Sequence, residues 1–96
     1  MKLELQNKVI LLTGATGGIG KQVVLDFIKE DAIVVCLIRN QKKMKEMLSW
    51  IEEQGASVLN VHSFVCNLLE FETIKESVKL IVREFKRIDV LVNCAG

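Results

Sequence analysis

Apolar residues along this chain alternate between two spacings. Short unbroken runs read as strands, and the stretches between them repeat at helical intervals. Val9 to Leu12 is the first run and predicts a short buried strand. Ile19, Val23, Val24, Phe27 and Ile28 then recur on one side of a helix from about Gly18 to Lys29. The helix stops at Glu30-Asp31, and Asp can adopt the left-handed geometry of a helix end, at some cost. Ala32 to Ile38 is continuous, partly β-branched and bounded by polar residues, as expected of a central strand buried on both faces.

The pattern then repeats. Asn40 can cap a helix that places Met44, Met47, Leu48 and Ile51 together, with Lys42, Lys43, Lys45, Glu46 and Glu52 elsewhere. Trp50 belongs with that core and its rim, and Gly55 ends the helix. Val58 to Val65 is a strand with mixed faces, on which His62 is partly solvated. Phe71, Ile74, Val78, Ile81, Val82 and Phe85 define a third amphipathic helix, whose start is unusual because Leu69 stands where Ser or Thr would cap. Asp89 to Asn93 makes the fourth strand. The order β-α-β-α-β-α-β predicts an α/β fold, a parallel sheet with right-handed crossovers. Its dinucleotide-binding version runs 3-2-1-4, with a crevice at the carboxyl ends beside strand one, helices one and two on one face and helix three on the other.

The most informative stretch is Thr13-Gly14-Ala15-Thr16-Gly17-Gly18-Ile19-Gly20, which holds four of the six glycines. It joins the first strand to the first helix. Gly14 accepts the dihedrals of a tight reversal. The helix behind it begins with backbone N–H groups that lack intrahelical partners and carry the positive end of the dipole, a setting suited to phosphate. Gly18 leaves room for a pyrophosphate, and Gly20 is expected to let the helix lie close to the sheet.

Thr13-Gly14-x-x-x-Gly18-Ile19-Gly20 resembles the cofactor fingerprint of the short-chain dehydrogenase/reductase family. The same residues also fit Thr-Gly-x-x-Gly-x-x-Gly through Gly14, Gly17 and Gly20, which resembles the epimerase-like and atypical branches. The end of the chain favours the classical branch. Ile88-Asp89-Val90-Leu91-Val92-Asn93-Cys94-Ala95-Gly96 is similar to that branch's Asp-x-Leu-Val-Asn-Asn-Ala-Gly segment, with Cys94 for the second Asn. The resemblance implies a Rossmann-like doubly wound sheet, truncated after its fourth strand. It also implies dinucleotide contacts from Gly14, Thr16, Gly17, Gly18, Ile19, Gly20, Arg39, Asn40, Asn67, Leu68, Asn93, Ala95 and Gly96. Small Ala95 and Gly96 let the strand end approach the cofactor, and Asn93 can tie neighbouring strand ends together.

The end of the second strand bears on which dinucleotide is bound. An acid there holds the ribose 2′-hydroxyl of NAD. Ile38 occupies that place and Arg39 follows, so the expected cofactor is NADP(H) rather than NAD. Lys42 and Lys43 could add positive charge; the alternative is that Arg39 is a solvated strand-end residue. Arg39-Asn40 also resembles the Arg-Asn or Arg-Asp pair of NADP-using members. Asn67-Leu68 resembles the family's Asp-Leu step beside the adenine. The amide either meets a base edge or is a neutral loop residue.

Composition narrows the rest. With 96 residues this is at most one small domain, taken as residues 1–96. A net charge of +1 and 50% apolar residues suggest neither disorder nor a nucleic-acid partner. Cys36, Cys66 and Cys94 are widely spaced, lie at strands and lack ligand or C-x-x-C spacing, so they read as structural thiols in a reducing compartment. Without a His beside it, Cys94 is a poor nucleophile. The N-terminus lacks a signal peptide's apolar region, and the longest apolar run is too short to span a bilayer. A cytoplasmic location is expected.

There is no tyrosine anywhere in the chain. The family's catalytic Ser and Tyr-x-x-x-Lys follow its fourth strand, so the resemblance implies the cofactor-binding front of an oxidoreductase acting on a carbonyl or alcohol. The chain then reads as an N-terminal fragment or truncated product, inactive alone, whose open fourth strand favours self-association. A non-catalytic dinucleotide-binding or regulatory module is the other reading.

Overall fold

A computed structural model describes residues 4–94. The elements are β1 (Val9–Thr13), α1 (Gly18–Lys29), β2 (Ile33–Ile38), α2 (Gln41–Glu53), β3 (Val61–Val65), α3 (Phe71–Phe85) and β4 (Val90–Asn93). The four strands form one parallel sheet in the order β3-β2-β1-β4. The register sets Leu11 beside Val35 and Leu91, and Leu12 beside Cys36 and Val92. Alternate residues of β1 therefore serve opposite faces.

Two cores result. Leu12, Val34, Cys36 and Ile38 pack with Val24 and Leu25 of α1 and Met44, Met47 and Ile51 of α2. Val9, Leu11, Val35 and Leu37 pack with Ile81 of α3, bordered by Ile74 and Phe85. Helices one and two thus cover one face and helix three the other. The Phe85 ring also meets His62 edge-on, with ring centroids 4.8 Å apart. Cys36 is wholly buried in β2, and burial pushes its thiol up to about 12, so it is no nucleophile near neutral pH.

Several ends differ from the sequence reading, each for a local reason. β3 starts at Val61 because Ser57 Oγ accepts from the Leu59 N–H (3.1 Å) and the Val61 N–H returns to the Val58 carbonyl (3.0 Å), folding 58–60 into a turn. β2 starts one residue later than expected, since Ala32 donates to the Phe27 carbonyl at the end of α1. Asp31 does take the left-handed geometry, at φ 61°. Asn40 caps α2 through Oδ1, which accepts from the Lys43 N–H at 3.2 Å. Glu70, not Leu69, is the N-cap of α3, and its side chain makes no cap bond.

Three apolar residues assigned to helix faces are exposed, and half-buried Val78 belongs to neither core. Ile19 and Phe71 stand at helix starts, beyond the edge of the packed layer, and are exposed, as is Val82. Ser77 takes a buried place on α3. On that face α3 covers β1 but not β4: Leu11 is 5% exposed and its register partner Leu91 is 68% exposed.

Candidate functional site

The carboxyl ends of β1, β2 and β3 and the glycine loop enclose a cleft of about 160 Å³. Gly14, Ala15 and Thr16 form one wall, Leu37, Ile38 and Arg39 the second, and Cys66, Asn67 and Leu68 the third. That volume lies below the range of about 300–1,000 Å³ usual for whole small-molecule sites. A larger hollow of about 710 Å³ sits at the opposite end of the sheet, between residues 4–8 and the end of α1. Its lining is mostly charged and polar, with Leu5 the apolar member, and it is remote from the strand carboxyl ends.

The glycine loop leaves the start of α1 open. Gly14 has φ 68°, the left-handed reversal expected of it. Gly17 is the N-cap of α1 in extended conformation, with no side chain to satisfy the first N–H groups. Beyond its chain neighbours and its own helix backbone, no atom of the described residues lies within 4 Å of where a Cβ on Gly18 would sit, so the space before the helix start is open. Gly20 differs. Its Cβ would lie 2.6 Å from the Ala15 carbonyl oxygen and closer still to that of Gly14. A side chain at 20 is therefore excluded by the backbone of the loop that precedes the helix. Ile19, between them, points away from the core.

Thr13 and Asn93 join the ends of β1 and β4. The Thr13 hydroxyl donates to Asn93 Oδ1 at 2.9 Å, and the Cys94 N–H donates to the Thr13 carbonyl at 2.9 Å. Asn93 thus ties neighbouring strand ends together, as its sequence context suggested. Ala95 and Gly96 lie outside the described residues.

Asn67 has a local task that the sequence did not reveal. Its Oδ1 accepts from the Leu69 N–H at 3.0 Å, and its Nδ2 donates to Glu70 Oε1 at 3.3 Å. The Thr73 hydroxyl meets the carbonyls of Asn67 and Glu70 at 2.7 and 2.8 Å, closing the same turn. An aspartate at 67 could accept from Leu69 but would set a second carboxylate against Glu70. The amide is the side chain that satisfies both neighbours. The spacing of Asn67 and Glu70, an amide three residues before an acid at a helix start, was the available signal. Leu68 is exposed beside it.

Arg39 is exposed at the mouth of the cleft and, among the described residues, has no ion-pair partner. No acid lines the cleft with it. Asn40 is occupied in capping α2. Among the described residues no His, Cys, Asp and Glu cluster suits a metal, and no helix is long and apolar enough to cross a membrane.

A parallel 3-2-1-4 sheet with a glycine loop at its crevice defines a Rossmann-type dinucleotide fold. The sequence profile of the short chain dehydrogenase family matches residues 8–96, and the chain belongs to that family. It is similar to a 3-oxoacyl-(acyl-carrier-protein) reductase of Thermotoga maritima, 37% identical over 94 residues, which cover 98% of this chain and 37% of that protein. Among solved structures it resembles the N-domain of a bacterial malonyl-CoA reductase with NADP, with a TM-score of 0.86 and 28% identity over 97% of this chain and 17% of that one. A putative D-mannonate oxidoreductase from Haemophilus influenza with bound NAD gives a TM-score of 0.80 and 29% identity, over 97% of this chain and 32% of that one. The chain spans about a third of the length of the curated relatives it matches. Its family binds nicotinamide dinucleotides, and these neighbours include both forms.

Proposed function

We propose that residues 1–96 form the NADP(H)-binding portion of an oxidoreductase that moves a hydride between nicotinamide and a carbonyl or alcohol. The observation that carries this reading is Arg39, unpaired among the described residues at the mouth of a cleft that no acid lines. An unpaired guanidinium attracts a 2′-phosphate, while a 2′-hydroxyl would find no carboxylate there. In this reading the N–H groups at the start of α1 meet the pyrophosphate over Gly17, Gly18 and Ile19. Gly14 and Gly20 hold the loop in shape, and Thr16 borders the ribose. Asn67 and Leu68 flank the adenine, with Asn40 fixing the helix beside Arg39. Asn93 is taken as a dinucleotide contact, and Ala95 and Gly96 are small residues that would let the cofactor approach.

The chemistry supplied by the bound dinucleotide is hydride donation or acceptance. This chain's residues bind and orient it, and no tyrosine is present to handle the substrate's proton. The free thiols and the absence of a spanning helix among the described residues accord with a cytoplasmic setting. The test is calorimetric titration with NADPH and NADH. The unmodified chain should prefer NADPH, and Ile38→Asp with Arg39→Ala should reverse the order. Equal affinities in the unmodified chain would remove the reading.

A further inference from the structure

Asn67 lines the cleft at the strand ends, and two partners fix which way its amide faces. The Leu69 N–H can only donate, so the atom 3.0 Å from it is Oδ1. The ionised Glu70 carboxylate can only accept, so the atom 3.3 Å from it is Nδ2. Resting on the NADP(H) reading above, we propose that the cleft does not select the 6-amino group of adenine and takes a 6-oxo purine dinucleotide equally well.

The donors and acceptors of the wall carry the argument. After its two local bonds the Asn67 amide keeps one N–H and one oxygen lone pair. Adenine offers an amino donor at its 6-position, whereas a 6-oxo purine offers a carbonyl acceptor there. An amide with a donor and an acceptor to spare can meet either. A carboxylate at 67 would present oxygens alone, meeting the 6-amino group and repelling the 6-oxo one.

No other side chain of the cleft restores that choice. Its remaining polar members are Thr16, Arg39 and Cys66. A hydroxyl donates or accepts, and a guanidinium only donates. The Cys66 thiol is buried and stands 3.8 Å from the Thr73 hydroxyl. Glu70, which holds the amide, is exposed and forms no part of the cleft wall. The apolar lining can pack against a purine face, but it does not read the purine's edge.

The experiment is calorimetry on the whole chain with NADPH and with reduced nicotinamide hypoxanthine dinucleotide phosphate, its 6-oxo counterpart. The unmodified chain should bind the two within roughly threefold, less than one net hydrogen bond is commonly worth. Asn67→Asp should open a gap of roughly tenfold in favour of NADPH, the scale of one acceptor set against another. The same change paired with Glu70→Gln, which relieves the clash of carboxylates, should open the same gap. A ratio of two affinities on one sample does not depend on its folded fraction, so misfolding cannot mimic it. An unmodified chain that prefers NADPH by roughly tenfold overturns the proposal and leaves the NADP(H) reading standing. If both variants treat the two dinucleotides alike, residue 67 does not meet the base edge, and the proposal falls alone. Binding of neither dinucleotide by the unmodified chain overturns both.

Discussion

The backbone N–H of Val9 donates to the Asp89 carboxylate at 2.8 Å, joining residues 80 positions apart. It locks the amino ends of β1 and β4, while Thr13 and Asn93 lock their carboxyl ends. The Arg87 guanidinium grips the same carboxylate through Nε and Nη2 at 2.7 to 2.9 Å. The hydrogen bonds from Arg87 and from Val9 hold the Asp89 carboxyl below the usual carboxylate range.

A pH dependence follows from that direction. A depressed folded pKa stabilises the fold above the ordinary carboxylate value of about 3.9, and the benefit is lost as pH falls through the folded value. Asp89→Asn should therefore lower the melting temperature at neutral pH and flatten its decline below about pH 4. Melting curves from pH 2 to 7 check this. A variant that declines in parallel with the parent would show that Asp89 is not the linked group.

The two helix-start glycines should fail in different ways. Gly20→Ala drives a Cβ into the Gly14 and Ala15 carbonyls, which are backbone and cannot swing aside. A loss of about 1–3 kcal/mol or more is expected, as for overpacking. Gly18→Ala meets no protein atom, so stability should hold or rise by up to about 1 kcal/mol. Dinucleotide binding should nonetheless weaken, because the methyl occupies the space before the N–H groups. Urea melts and NADPH titration on both variants separate the two effects.

The purified chain should catalyse no hydride transfer, even with saturating NADPH. It holds no tyrosine for acid/base work, and its best-buried thiol is protonated near neutral pH. Substrate-dependent NADPH oxidation, with contaminating reductases excluded, would refute this.

The chain should also associate with itself. β4 is an outer strand, and Leu91 is largely bare on the face that α3 leaves open. Leu91→Lys should shift sedimentation velocity profiles toward monomer and reduce hydrophobic-dye binding. A parent that is monomeric and binds no dye would refute the expectation.

Periodicity and punctuation in the sequence determined the order of elements, the parallel sheet and the faces that α1, α2 and α3 cover. Unbroken runs such as Ile33–Ile38 must be buried on both sides, and Gly14 and Asp31 mark left-handed turns wherever the chain goes next. The Asn40 cap was legible for the same reason: its bond is local. Tertiary structure decided what depends on a neighbour. Ile19, Phe71 and Val82 have helical spacing, but spacing names a side of a helix and not what covers it. Gly20 is required by carbonyls that only the folded loop brings back. Asn67 was an ambiguous amide until the turn set Leu69 and Glu70 against it. The Lys21–Trp50 cation–π contact and the Val9–Asp89 bond join different elements, so packing alone could bring those partners together.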